Sequence, residues 1–99
     1  MEIREEKEEK KLTLFISGEL DLEGGPELTS YLENELENLE SLTLNMADIT
    51  YLSSAGIRAI LAIHRQVDGK IPFKITGCNT FVYEVFEITG LDEILDLEK

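Results

Sequence analysis

The 99-residue chain is 42% apolar and carries one cysteine, which fits one globular domain over residues 1–99 and excludes a disulfide scaffold. Nine basic against 21 acidic side chains leave a net charge of −12, opposing nonspecific contact with nucleic acid or anionic membranes. No apolar run approaches the ~20 residues of a membrane span, and Met1–Glu6 lacks the apolar core of a signal peptide, so the expected setting is the cytoplasm.

Glu5 to Lys11 is nearly all charge. Lying between Ile3 and a clear strand pattern, it reads as a weak edge strand and a solvated turn, whose charges discourage sheet-to-sheet aggregation. Leu12, Leu14 and Ile16 alternate to one face and Phe15 gives the other face an apolar contact, which predicts a strand over 12–17. Gly18 to Gly25 reads as a loop, after which Pro26 suits the first turn of a helix. Leu28, Leu32, Leu36 and Leu39 recur at helical spacing beside Tyr31. Glu33, Glu37 and Glu40 fall opposite, so one helix with an acidic outer face is predicted there.

A second core strand is predicted over Leu42–Met46. The next helix opens near Ser54 and runs to about Asp68, where Gly69 ends it. Its apolar side is Ile57, Ile60, Leu61, Ile63 and Val67, with Arg58 and Arg65 opposite. Ile71, Phe73 and Ile75 alternate within a third inner strand, Lys70–Thr76. Asn79 or Thr80 caps a short helix carrying Phe81, Val82, Val85, Phe86 and Ile88. Gly90 takes the left-handed position behind it, and Leu91 folds back on its last turn. Ile94–Leu97 adds a last short strand. Strands alternating with helices imply right-handed crossovers and a mostly parallel sheet, made mixed by the initial hairpin. The expected fold class is α/β, with a mixed sheet of four or five strands and about three helices.

The unusual stretch is Tyr51-Leu52-Ser53-Ser54-Ala55-Gly56-Ile57-Arg58, at the predicted junction of strand and helix. The first amides of a helix lack intrahelical partners and carry partial positive charge. A serine there caps the helix, and a phosphate on that serine is held by the same amides. Ser54 and Arg58 are four apart on one helical face, so Arg58 is placed to meet a phosphate on Ser54. Local physics leaves both readings open, a mere cap at Ser53 or Ser54 and a modification site.

The segment Asn45–Arg58 resembles the signature of STAS domains, the anti-sigma factor antagonists. Gly18-Glu19-Leu20-Asp21 is similar to that family's first loop, and Phe86-Glu87-Ile88-Thr89-Gly90-Leu91 to its late helix-to-strand turn. The three matches come in family order and span nearly the whole chain. The resemblance implies a STAS-like fold and a noncatalytic module that binds a kinase-type anti-sigma factor, a protein serine kinase, and is switched off by serine phosphorylation. Ser54 is the implied phosphorylation site and Ser53 the second candidate. Asp21, Ser53, Ser54, Ala55, Gly56 and Arg58 are the implied partner-binding residues. A phosphatase, no cofactor, no direct nucleic-acid contact, and a monomer or weak homodimer complete the expectation. Asn45 stands where the family often has Asp, Ala47 where it often has Ser or Thr, and Ser53 where many relatives have Asp. The C-terminus is shortened, without the usual closing helix. The alternative is an unswitched structural subunit, such as the STAS-like component of a lipid-transport ATPase complex or a signalling scaffold.

Other chemistry finds no support in the spacing. His64 lies more than two helical turns beyond Ser54, too far for a nucleophile–base pair, and reads as a boundary residue of its helix. A zinc site lacks a second His or Cys ligand, and no EF-hand spacing exists. Cys78 reads as a small packed residue. Gly18, Gly24 and Gly25 form no phosphate-loop or dinucleotide fingerprint. No catalytic or metal-binding residue is assigned.

Overall fold

A computed structural model describes residues 1–99. Its elements in chain order are β1 (Glu2–Glu8), β2 (Lys11–Leu20), α1 (Gly24–Leu32), a 3-10 turn (Leu36–Asn38) and β3 (Ser41–Leu52). There follow α2 (Ser54–Val67), β4 (Phe73–Thr76), α3 (Thr80–Ile88), a second 3-10 turn (Leu91–Glu93) and β5 (Asp96–Leu97). The five strands lie in sequence order, with β1 antiparallel to β2 and every later pairing parallel. The mixed sheet and the three helices agree with the expected class. No helix is long and apolar enough to cross a membrane.

Alternation decides which face of the sheet is covered. Leu12, Leu14 and Ile16 on β2, Leu42, Leu44 and Met46 on β3, and Ile75 on β4 are all buried. Leu28 and Leu32 of α1, Ile60 and Ile63 of α2, and Val82 and Phe86 of α3 join the same cluster, so the helices lie on that face. No polar or charged side chain is buried. The opposite face carries Thr13, Phe15, Thr43 and Lys74, and the Arg4 guanidinium sits 4.1 Å from the Phe15 ring centroid. Both sides of the predicted α2 register hold, with Arg58 and Arg65 exposed and Ile60, Ile63 and Val67 buried. Ile57 and Leu61 flank the buried stripe and are half-buried.

Several boundaries differ from the sequence reading. The helix expected through Leu39 stops at Leu32, and Leu36–Asn38 forms a separate 3-10 turn. Glu33, Glu35 and Glu37 explain the break, because carboxylates at a helix C-terminus oppose its dipole and Glu33 and Glu37 repel at i, i+4. The expected loop over 18–25 shrinks to Asp21–Glu23, since β2 continues to Leu20 and α1 begins at Gly24. Gly18, at φ 93, lies where the β2–β3 register shifts.

β3 runs on past Met46 to Leu52, six residues beyond the expected end. Two register shifts against β2 replace alternation with burial at every third residue, Met46, Ile49 and Leu52. The third inner strand starts only at Phe73, because the N–H groups of Lys70 and Ile71 both donate to the Val67 carbonyl, at 2.8 and 3.1 Å. The last strand contracts to Asp96–Leu97, since Leu91–Glu93 coils first. Gly90 has φ 77, as its position required, and Asn79 rather than Thr80 caps α3.

Phe86 is 0% exposed and Ile88, two residues on, is 85% exposed. Phe86→Ala should cost about 3–5 kcal/mol, a large share of the ~5–15 kcal/mol that holds a domain of this size together. Ile88→Ala should change stability by less than ~0.5 kcal/mol. Urea unfolding of the two variants beside the unmodified protein measures both.

Candidate functional site

The carboxyl ends of β2, β3 and β4 are neighbours, and each leads into the N-terminus of a helix. Three sets of helix-end amides therefore gather along one edge of the molecule, the edge where parallel sheets build their sites. Each helix start is fastened by one short polar side chain.

At the first junction, Asp21 Oδ1 accepts from the backbone N–H groups of Gly24 at 2.9 Å and Glu23 at 3.1 Å. The Gly24 hydrogen bond does most to hold the Asp21 carboxyl below its ordinary value of 3.8, with the Glu23 bond adding to it against partial desolvation. Asp21 is thus tied to the start of α1, on the same edge as the serine pair. At the third junction, Asn79 Oδ1 accepts from the Val82 N–H at 2.8 Å, and Asn79 Nδ2 donates to the Ile49 carbonyl at 3.1 Å. Asn79 ties the start of α3 to the bulged half of β3.

The middle junction separates the two serines. The Ser53 N–H donates to the Leu20 carbonyl at 3.1 Å and its own carbonyl accepts from Ile57 N–H at 3.0 Å. Its hydroxyl accepts from the Gly56 N–H at 3.3 Å. Ser53, in extended conformation, is the cap of α2. Ser54 is the first helical residue and is exposed, and its hydroxyl makes no hydrogen bond within the chain. Arg58 is also exposed, one turn further along α2, and forms no ion pair.

Glycine brings these parts into backbone contact. A Cβ on Gly56 would stand 2.3 Å from the Leu20 carbonyl oxygen and one on Gly25 2.9 Å from that of Ala55. The start of α2 is therefore seated on the end of β2, and α1 on the start of α2. Of the residues expected to act together, Ser53, Ser54, Ala55, Gly56 and Arg58 share the first turns of α2 and Asp21 faces the same edge. Ala55 is half-buried and Gly56 buried, so both shape the site more than they face outward. His64 is half-buried on α2, roughly 15 Å along the axis from Ser54. Cys78 is buried at 6% exposure, and that burial pushes its thiol up.

Sequence reasoning overlooked two features of this edge. Asn79 joins α3 to β3, whereas the sequence signalled only a cap. Phe81, among the apolar residues the predicted helix carries, is 48% exposed, as is Tyr51, and Leu22 is 76% exposed. A run of apolar residues longer than the buried stripe of a nine-residue helix was the signal available for Phe81.

Gly56→Ala pits a helix-propensity gain of ~1 kcal/mol against a clash with an immobile backbone carbonyl. The clash should win, leaving the variant about 1–3 kcal/mol less stable in urea unfolding. Asp21 predicts a pH dependence. Its folded-state pKa is lowered, so the carboxylate's contribution is complete above the unfolded value near 3.8 and is lost as pH falls through the folded value. The difference in urea midpoint between the unmodified protein and Asp21→Asn should stay constant from pH 7 to 5 and shrink below pH 4.

Similarity to known proteins covers the whole of this architecture. The STAS domain family model matches residues 2–99. The anti-sigma-B factor antagonist of Bacillus subtilis (strain 168) is 26% identical over 90 residues, covering 90% of this chain and 83% of that protein. The crystal structure of an anti-sigma factor antagonist from Mycobacterium paratuberculosis superposes with a TM-score of 0.88 at 18% identity, over 98% of this chain and 84% of that one. The Bacillus cell fate determinant SpoIIAA in its phosphorylated form gives a TM-score of 0.77 at 14% identity, over 99% and 92%. The shared fold extends from β1 to β5, the family match takes in all three junctions, and the chain belongs to the STAS domain family.

Proposed function

We propose that this protein is an anti-sigma factor antagonist, a noncatalytic binding module working as one unit over residues 1–99 in the cytoplasm. Its unmodified form binds a kinase-type anti-sigma factor and its phosphorylated form lets go. The observation that carries this reading is the division of labour between the serines. Ser53 holds the helix, while Ser54 presents an uncommitted hydroxyl beside it. The curated relative named anti-sigma-B factor antagonist and the phosphorylated SpoIIAA structure support it.

The modification transfers the γ-phosphoryl group of ATP to Ser54 Oγ. ADP leaves, and the kinase takes the hydroxyl proton. A phosphoserine brings about −1.5 to −2 charge. Within the chain that charge meets the first amides of α2 and the Arg58 guanidinium, a benefit of roughly 0.3–2 kcal/mol, so the fold survives. At an interface packed against a neutral hydroxyl, the phosphate must be desolvated or the surfaces must part. A cost of ~3 kcal/mol weakens binding over a hundredfold. A phosphatase that hydrolyses the phosphoserine restores the binding form. Asp21, Ser53, Ala55 and Gly56 hold the contact surface in shape, and Ser54 and Arg58 touch the partner.

The test incubates the protein with the kinase-type anti-sigma factors of its source bacterium and ATP, maps the phosphosite and compares affinities. Ser54→Ala should bind and resist modification. Ser54→Asp should fold and bind at least ~100-fold more weakly. Ser53→Ala should remain a substrate but lose about 1 kcal/mol of stability with its cap. Phosphorylation of Ser54→Ala at Ser53, with release unchanged, would move the site to Ser53. If no variant alters affinity for any partner, an unswitched structural subunit replaces the switch.

A further inference from the structure

Six large apolar side chains are exposed, and three of them, Leu22, Tyr51 and Phe81, belong to the edge that carries Ser54. Leu22 lies two residues past the end of β2, Tyr51 is the penultimate residue of β3, and Phe81 is in the first turn of α3. Because β3 lies between β2 and β4, Ser54 sits between the Leu22 and Phe81 junctions. Phe81 and Thr80 form one wall of an open depression whose other wall is Asp48 and Thr50 of β3. Ile88, the last residue of α3, and Ile94, just past the second 3-10 turn, are exposed away from this edge.

Charge at this edge has one dominant sign. Residues 19–27, 47–58 and 76–84 contain Glu19, Asp21, Glu23, Glu27, Asp48 and Glu84, against Arg58, the Met1 ammonium beside Gly18 and Asp21, and Lys99 over the Tyr83 ring. Glu19, Glu23 and Asp48 are exposed and pair with no cation. An apolar centre with an acidic margin complements an apolar pocket with a basic margin.

We infer that Leu22, Tyr51 and Phe81 anchor this edge to a protein partner whose facing surface is an apolar pocket bordered by Lys and Arg. The inference rests on the proposed function, in which that partner is the anti-sigma factor, and adds what holds the two together. It also reconciles an acidic docking edge with release by an added negative charge. The carboxylates at the margin stay hydrated and steer approach, whereas a phosphate on Ser54 stands at the middle of the three junctions, where a docked partner strips its water.

The experiment measures association and dissociation of the anti-sigma factor that phosphorylates the unmodified protein. Leu22→Ala, Tyr51→Ala and Phe81→Ala should each weaken binding ~10-fold or more, chiefly by faster dissociation. They should raise the KM for phosphorylation of Ser54 and leave kcat unchanged. Ile88→Ala serves as the control and should match the unmodified protein. A Glu19→Lys, Glu23→Lys, Asp48→Lys triple variant should associate ~10-fold more slowly and with a flatter salt dependence. If the three alanine variants stay within about twofold of the unmodified protein while Ser54→Asp still fails to bind, the anchors are wrong and the switch stands. Equal binding of Ser54→Asp and the unmodified protein would bring down both.

Discussion

The seat of α2 on the end of β2 is the contact from which the rest of this edge follows. Gly56 approaches the Leu20 carbonyl so closely that even a methyl group has no room. The same carbonyl accepts the Ser53 N–H, and Leu20 itself is fully buried. Three constraints thus meet at one peptide group. They fix where α2 starts, which serine turns inward to cap it, and which is left facing out. Gly25 against Ala55 extends the contact to α1, so the first two helices are positioned from one point.

The length of β3 makes that contact reachable. Its pairing with β4 ends at Asn45 opposite Thr76, while its pairing with β2 continues to Leu52 opposite Leu20. The second half of β3 therefore has a free edge on the β4 side, and an unpaired carbonyl near the core is costly. Asn79 meets that need at Ile49 while capping α3 with its other atom. Asn45 does a related task, accepting from the Ala47 N–H at 3.0 Å where the strand begins to bulge. Gly77, at φ 70, packs beside it, where a Cβ would stand 2.8 Å from Asn45 Oδ1. Asn45 is thus built into the turn of the chain that aims α3.

Charge follows a different logic from packing. No charged side chain is buried, so the net charge of −12 is carried at the surface, where self-repulsion is moderated by solvent. The three ion pairs present are all exposed and contribute little. The closest use of a carboxylate in holding elements together is Glu5 on β1, which accepts from the Tyr31 hydroxyl of α1 and pushes that phenol up to about 12. Charged residues on β1 also guard an edge of the sheet that would otherwise be open to pairing.

Sequence alone determined the order of elements, the covered face of the sheet and the register of α2. Those follow from local periodicity in Leu12–Ile16, Leu42–Met46 and Ile57–Val67, where burial and spacing agree. The left-handed Gly90 was legible for the same reason, since it rests on the chemistry of a few adjacent residues, and the segment around Ser54 was legible through its resemblance to the STAS signature. Tertiary structure decided the boundaries and the roles. β3 outran its alternation because bulges against β2 changed the burial period, and the Leu36–Leu39 spacing served a 3-10 turn because carboxylates opposed a longer helix. It also decided that Ser53 caps while Ser54 is free, that Asn79 reaches Ile49, and that Phe81 and Tyr51 stand exposed on the edge at the carboxyl ends of the strands. The first two depend on a carbonyl supplied by a residue about 30 positions away, Leu20 for Ser53 and Ile49 for Asn79, and no local pattern records which of two neighbouring hydroxyls will meet it.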